Sequence, residues 1–287
     1  MDEVVCENGV CPDELLSASN DDHEGVIVDM KEPMDAAVFR SMLRASISQW
    51  RKQGKKGVWI KLPIEFVNLV ETVVKEGFWY HHAEPTYLML VYWIPQTVCT
   101  LPANATHCVC IGAFIMNAKR EVLVVQEKNG KLRGTGLWKI PTGMVDEGED
   151  IFMAAIREVK EETGIDAEFG EVLAFRQTHK SYFGKSDLFF LCMLHPLSFD
   201  IVIQELEIEA AQWMPFEEYL AQPFFKSPGP SQGIHEVCVA KVDRGYSGFF
   251  PLPTGTSLRD EVDYLYLNTQ DLERCASSTI SIMNYEN

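Results

Sequence analysis

Gly143-Met144-Val145-Asp146-Glu147-Gly148-Glu149-Asp150-Ile151-Phe152-Met153-Ala154-Ala155-Ile156-Arg157-Glu158-Val159-Lys160-Glu161-Glu162-Thr163-Gly164-Ile165 is the stretch that decides how this chain is read. It satisfies G-x5-E-x7-R-E-U-x-E-E-x-G-U, where U is a bulky aliphatic residue, here Val159 and Ile165. At average residue usage this arises by chance about once in a billion start positions, so the window carries a function. Ile151, Ala155 and Val159 recur at the spacing of one helix face, and Gly164 suits a left-handed C-cap. The spacing predicts a helix over about 150–163.

On that helix Glu158 and Glu162 are i and i+4, and Glu161 is i+3 from Glu158, so the three carboxylates meet on one face, expected to lie away from the apolar stripe. Carboxylates that close repel unless a cation lies between them. Oxygen ligands on a rigid helix suit Mg2+ or Mn2+, ions that also take phosphate and water. A charge run alone is ordinarily a solvated face. Here Trp138-Lys139-Ile140-Pro141-Thr142-Gly143 and then Glu149 precede it, so a strand, a glycine turn and a loop feed the helix N-terminus.

The window is the Nudix box, and the chain resembles a Nudix hydrolase. The resemblance implies an α/β fold, an α/β/α sandwich with a mixed sheet, and metal-dependent cleavage of a diphosphate. It implies Glu158, Glu161 and Glu162 as metal ligands, joined by the carbonyl of Thr142, with Arg157 bracing the glutamates. Gly143, Glu149 and Gly164 complete the motif. Two roles stay open for Glu149, bracing the loop or reaching metal through water.

The chain has 287 residues with 46% hydrophobic and 23% charged, a globular composition long enough for two moderate domains. Its net charge of −17 argues against long nucleic acid and anionic membranes, which need basic patches. Bound metal reverses the local field, so an anionic small substrate stays compatible. No apolar run reaches a membrane-spanning length, and the acidic start Met1-Asp2-Glu3 lacks a transit or secretory pattern. The eight cysteines show no CxxC pair, and reduced thiols in a cytoplasmic protein are expected.

Four segments are expected: a mobile tail over 1–23, a small α/β domain over 24–98, a catalytic domain over 104–250 and a partly frayed extension over 251–287. In the second segment a strand at 25–28, a helix at 35–53, a strand at 58–62, a helix at 64–76 and two strands at 78–82 and 87–93 are predicted. Gly57-Val58-Trp59-Ile60-Lys61-Leu62-Pro63 and Glu76-Gly77-Phe78-Trp79-Tyr80-His81-His82-Ala83-Glu84-Pro85 resemble the pre-Nudix domain of the plant ADP-ribose/NADH group. Glu121-Val122-Leu123-Val124-Val125-Gln126-Glu127 and Leu173-Ala174-Phe175-Arg176-Gln177-Thr178-His179 agree with the same group. Adjacent His81 and His82 are expected on opposite faces of a strand. Ser227 to Gly233 reads as a loop.

Glu207, in a Glu-Ile-x-x-Ala-x-Trp stretch, is the candidate base for the attacking water, with Glu161 as the alternative. Arg176 is a candidate diphosphate contact, and Phe175 or Phe183 a ring on which a base stacks. The resemblance implies hydrolysis of ADP-ribose and NADH to AMP. A homodimer is a separate expectation. Two alternatives remain: a Nudix-fold binding or regulatory protein, and a pyrophosphatase for coenzyme A, a sugar nucleotide or an isoprenoid diphosphate.

Overall fold

Capping and alternation account for most elements of this computed structural model, which describes residues 15–130, 132–181, 184–222, 230–255 and 262–272. The chain divides into two units, Met1–Ala105 and Thr106–Asn287. Cys6, Cys11, Cys275 and Phe183 lie outside the described residues. Cys99, Cys108, Cys110, Cys192 and Cys238 are free thiols.

The first unit contains β1 (Ser19–Asn20), β2 (Val26–Asp29), α1 (Ala36–Lys52), β3 (Gly57–Pro63), α2 (Val70–Lys75), β4 (Trp79–Glu84) and β5 (Tyr87–Trp93). They form a five-stranded sheet in the order β1-β2-β3-β5-β4. Asp35 caps α1, its carboxylate accepting from the Ala37 and Val38 N–H groups. Phe39, Leu43, Ile47 and Trp50 of α1 pack on Val58, Ile60 and Leu62 of β3.

Three expectations need correction here. The tail does not extend to residue 23, because Leu16 is buried in this core and β1 pairs with β2. The helix expected over 64–76 is a 3-10 segment, Ile64–Leu69, followed by the six-residue α2. Its valines and isoleucine are poor helix formers, and Phe66 breaks the helical dihedrals. His81 and His82 do not face opposite ways. A register shift between Tyr80 and His82 brings their Nδ1 atoms to 2.7 Å.

The second unit contains β6 (His107–Ile115), β7 (Glu121–Glu127), β8 (Thr142–Met144), α3 (Ile151–Thr163), β9 (Ala167–Thr178), β10 (Ser186–Pro196), β11 (Ile208–Pro215), α4 (Phe216–Ala221), α5 (Pro230–Arg244), β12 (Phe250–Gly255) and β13 (Val262–Leu267). A four-stranded mixed sheet runs β8-β6-β10-β9, with β6 and β10 parallel, and β7 pairs with β11. Alternation sorts the strands into two cores. Ile111, Ala113, Cys192 and Leu194 pack with Ala154, Ala155 and Val159 of α3. Phe114, Leu191 and Met193 pack on the opposite face with Phe216 and Tyr219 of α4 and Cys238 of α5. The result is an α/β/α sandwich with a mixed sheet, as expected.

Residues Pro230 to Gly233, expected in a loop, begin α5; Ser227 to Gly229 lie outside the described residues. Residue 250 is not a structural break either. Phe249 pairs with Val172, Tyr266 packs on the α3 core and the Tyr264 ring meets Phe152 at 4.9 Å.

Candidate active site

The site starts from one missing side chain. β8 carries Gly143 opposite Ile111 of β6, against α3. A Cβ on Gly143 would lie 1.8 Å from Glu158 Cδ, so only glycine lets this carboxylate lie against the β8 backbone. The helix that presents it is fixed at its C-terminal end by Gly164, with φ of 71°.

The three box glutamates do not share one environment. Ala155, Val159 and Glu162 are spaced i, i+4 and i+7, so Glu162 continues the apolar stripe and is only 6% exposed. This corrects the expectation that all three point away from that stripe. Glu162 accepts from the Thr142 N–H, while its Oε2 has no hydrogen-bond partner among the described residues. Burial pushes its pKa to about 8; the charge of Lys139 opposes this, and Glu158 and Glu127 add to it. Burial also raises Glu158, with Arg157 opposing and Glu161 and Glu207 reinforcing. Glu161 is largely exposed.

Arg157 holds the arrangement together. Its Nε and Nη2 donate to the two oxygens of Glu149 at 2.8 Å each. Nη1 donates to Glu158 at 2.8 Å and Glu161 at 3.1 Å, and Nη2 also reaches the Met144 carbonyl at 2.9 Å. The hydrogen bonds from Arg157 lower the Glu149 pKa. Glu149 also accepts from the Asp146 N–H, so in this structure it braces the loop and the arginine.

Beside α3 lies a cavity of about 890 Å³, lined by Glu127, Thr142, Glu162, Glu207, Lys180 and neighbouring residues. Residues 16–94 match the Nudix hydrolase domain model and residues 106–234 the NUDIX domain model. The chain is 58% identical to Nudix hydrolase 2 of Arabidopsis thaliana over 258 residues, 90% of this chain and 92% of that one. It is 59% identical to Nudix hydrolase 10 of the same plant, over 90% of this chain and 91% of that one. Nucleoside diphosphate-linked moiety X motif 6 of Mus musculus is 41% identical over 64% of this chain and 59% of its own length.

The chain belongs to the Nudix hydrolase family. It is thus an enzyme family member of the class that hydrolyses nucleoside diphosphate derivatives, generally with divalent metal. Among the described residues, no helix is long and apolar enough to cross a membrane.

The residues of this Nudix hydrolase suit such a metal at the Glu162 end. A buried carboxylate oxygen without a donor, an adjacent half-buried Glu158 and the nearby Thr142 are a hard-oxygen set short of a cation. Three acidic, histidine or cysteine side chains do not yet converge as a closed cage among the described residues. Arg157 meets this need in part, because its guanidinium occupies Glu158 and Glu161.

Arg176 and Phe175 are placed elsewhere. With Ala174, Phe189, Leu191, Gly233 and Ile234 they line a separate pocket of about 220 Å³. Arg176 lies over the Phe189 ring at 5.4 Å, its Nε buried without a partner among the described residues. Phe175 is 64% exposed.

Sequence reasoning missed Lys139 and Glu127. Cross-strand pairing of Lys139 with Val125 brings the lysine beside Thr142 and Glu127, two residues of the cavity wall. There Nζ donates to Thr142 Oγ1 at 2.6 Å and pairs with Glu127 at 2.5 Å. The signal was a lone lysine just before the glycine turn, whose partner is fixed only by strand register.

Proposed function

We propose that this Nudix hydrolase cleaves the diphosphate of ADP-ribose and NADH, releasing AMP with ribose 5-phosphate or reduced nicotinamide mononucleotide, in the presence of Mg2+ or Mn2+. The observation that carries the reading is Glu162, a buried carboxylate with an unpartnered oxygen at the wall of a cavity large enough for a dinucleotide. The choice of substrate rests on the resemblance of Glu121–Glu127 and Leu173–His179 to the plant ADP-ribose/NADH group.

Glu158 and Glu162, with the Thr142 carbonyl, would hold the metal, and Glu161 would join them once Arg157 releases it. The bound ion would neutralise the diphosphate and polarise its phosphorus–oxygen bonds. Glu207 stands on the cavity rim near Glu158 and acts as the base. It takes a proton from water as the water oxygen bonds to one phosphorus. The bridging phosphorus–oxygen bond breaks, and its electron pair leaves with the other phosphate. Lys139 supplies a fixed positive charge beside Thr142. Arg157 keeps Glu158 pointed at Gly143.

The test is a panel of dinucleotide diphosphates incubated with the purified chain and Mg2+ or Mn2+, with products resolved by chromatography. AMP is expected from ADP-ribose and NADH, and Glu207→Gln should lower kcat about 100-fold. Preference for coenzyme A or a sugar nucleotide would overturn the substrate assignment. No turnover of any diphosphate with metal binding intact would overturn the reaction.

A further inference from the structure

Between β10 and β11 the chain packs Ile201 on the α3 core but leaves Val202 and Leu206 71% and 79% exposed. Polar contacts hold the exposed stretch. At one end it satisfies carbonyls that α3 leaves open at its C-terminus. The Val202 N–H donates to the Thr163 carbonyl at 2.8 Å and the Gln204 N–H to the Glu162 carbonyl at 3.2 Å. At the other end it is pinned to the residues after β7. The Lys128 N–H donates to the Glu207 carbonyl at 2.8 Å, Lys128 Nζ to the Glu205 carbonyl at 2.6 Å and Asn129 Nδ2 to the Leu206 carbonyl at 3.0 Å.

Glu207 is therefore fixed by its main chain on both sides. Its carbonyl is held by Lys128, and its N–H donates to the side-chain oxygen of Gln204 at 2.8 Å, with a longer approach to the Gln204 carbonyl at 3.3 Å. Gln204 joins the backbone of the buried metal-side glutamate to the backbone of the rim glutamate.

We propose that Gln204 is a positioning residue: its side-chain oxygen fixes the Glu207 main chain and so sets where the Glu207 carboxylate stands over the cavity. The proposal rests on the reading of Glu207 as the base. Gln204 Oε1 takes the Glu207 N–H at 2.8 Å, the shorter of its two Gln204 contacts, while the Gln204 carbonyl accepts the Ile208 N–H at 3.0 Å and meets the Glu207 N–H only at 3.3 Å. A carboxylate misplaced by an ångström loses its line to the attacking water, a loss felt in kcat and not in substrate affinity. Gln204→Ala leaves the backbone bond to Glu162 untouched, so the substitution probes the Glu207 link alone.

The experiment is a double-mutant cycle on the full chain, with ADP-ribose and Mg2+ as the assay pair. Gln204→Ala is expected to lower kcat about 10-fold or more with KM unchanged. Gln204→Glu keeps an oxygen to accept the Glu207 N–H and should stay within about threefold of the parent. In a Glu207→Gln background, Gln204→Ala should cost nothing further, because both act through one carboxylate. Full kcat in Gln204→Ala beside an impaired Glu207→Gln overturns the inference and leaves the Glu207 reading standing. Losses that multiply in the double variant also overturn it, since Gln204 would then act elsewhere. Full kcat in Glu207→Gln removes the Glu207 reading itself. Thermal melting accompanies each variant. Should Gln204→Ala melt early, Gln204→Glu carries the test, and a kcat as low as that of Glu207→Gln overturns the inference.

Discussion

Among the described residues of the second unit two glutamates are buried, and they are treated in opposite ways. Glu171 of β9 is 3% exposed and fully engaged. It pairs with Lys241 of α5 and accepts the Gly248 N–H. Glu162 of α3 is buried almost as deeply, yet one oxygen finds no donor among the described residues. A buried carboxylate without partners costs several kcal/mol, and folding selects against it unless a ligand repays it. Glu171 thus holds the fold, joining strand, helix and the turn before β12, while Glu162 is held by the fold.

Replacing each glutamate should separate these roles. Glu162→Gln keeps the shape and the acceptor for the Thr142 N–H but loses the charge. Activity should fall about 100- to 1000-fold with the melting temperature held or raised. Substantial residual turnover in Glu162→Gln would remove Glu162 from the catalytic set. Glu171→Ala leaves Lys241 and the Gly248 N–H without their shared acceptor. It should lower stability by about 2–4 kcal/mol by denaturant titration, with kcat per folded molecule near that of the parent. A stable but inactive Glu171→Ala would dissolve the contrast.

A smaller effect is expected one step away from Glu162. Gly143→Ala forces the Glu158 carboxylate off the β8 backbone, because the new methyl would occupy its place. The side chain is flexible at its far end, so the fold should survive with little loss of stability. Activity should fall about 10-fold, measured with the melting temperature as control. Unchanged turnover would mean that Glu158 works from another rotamer.

The same contrast shows how far the sequence could be read. α3 was legible to within a residue, because its apolar spacing and Gly164 are local signals. α1 was legible for the same reason, with Asp35 at its start. The helix α5 was missed because Pro-Gly-Pro reads as a loop, although proline is welcome at a first helical position. Ile234, Val237 and Cys238 carried its buried face. At the site, the box gave the carboxylates but not their unequal burial, which depends on Glu162 continuing the stripe of Ala155 and Val159. Lys139, Glu127 and Gln204 were illegible because cross-strand register and a strap between strands bring them in. Arg176 and Phe175 fall into a second pocket because β9 and β10 place them beside α5, a helix that the sequence did not announce.

The pH dependence of stability gives the finest test of Glu162. Its folded-state pKa is raised from 4.5 to about 8, chiefly by burial. An acid of this kind favours the fold while protonated. Its contribution is complete below the unfolded pKa and is lost as pH rises through the folded one. The metal-free protein should therefore lose stability across this window, by an amount on the order of 1–3 kcal/mol. Glu162→Gln does not ionise and should lack that loss. Denaturant midpoints in a chelator, at about pH 5 and about pH 8.5, measure it: the variant's advantage should widen at the higher pH. An advantage of equal size at both pH values would show that Glu162 is not the group that titrates. Adding Mg2+ at the higher pH should then stabilise the parent and not the variant, because only the parent gains by pairing a buried carboxylate with a cation.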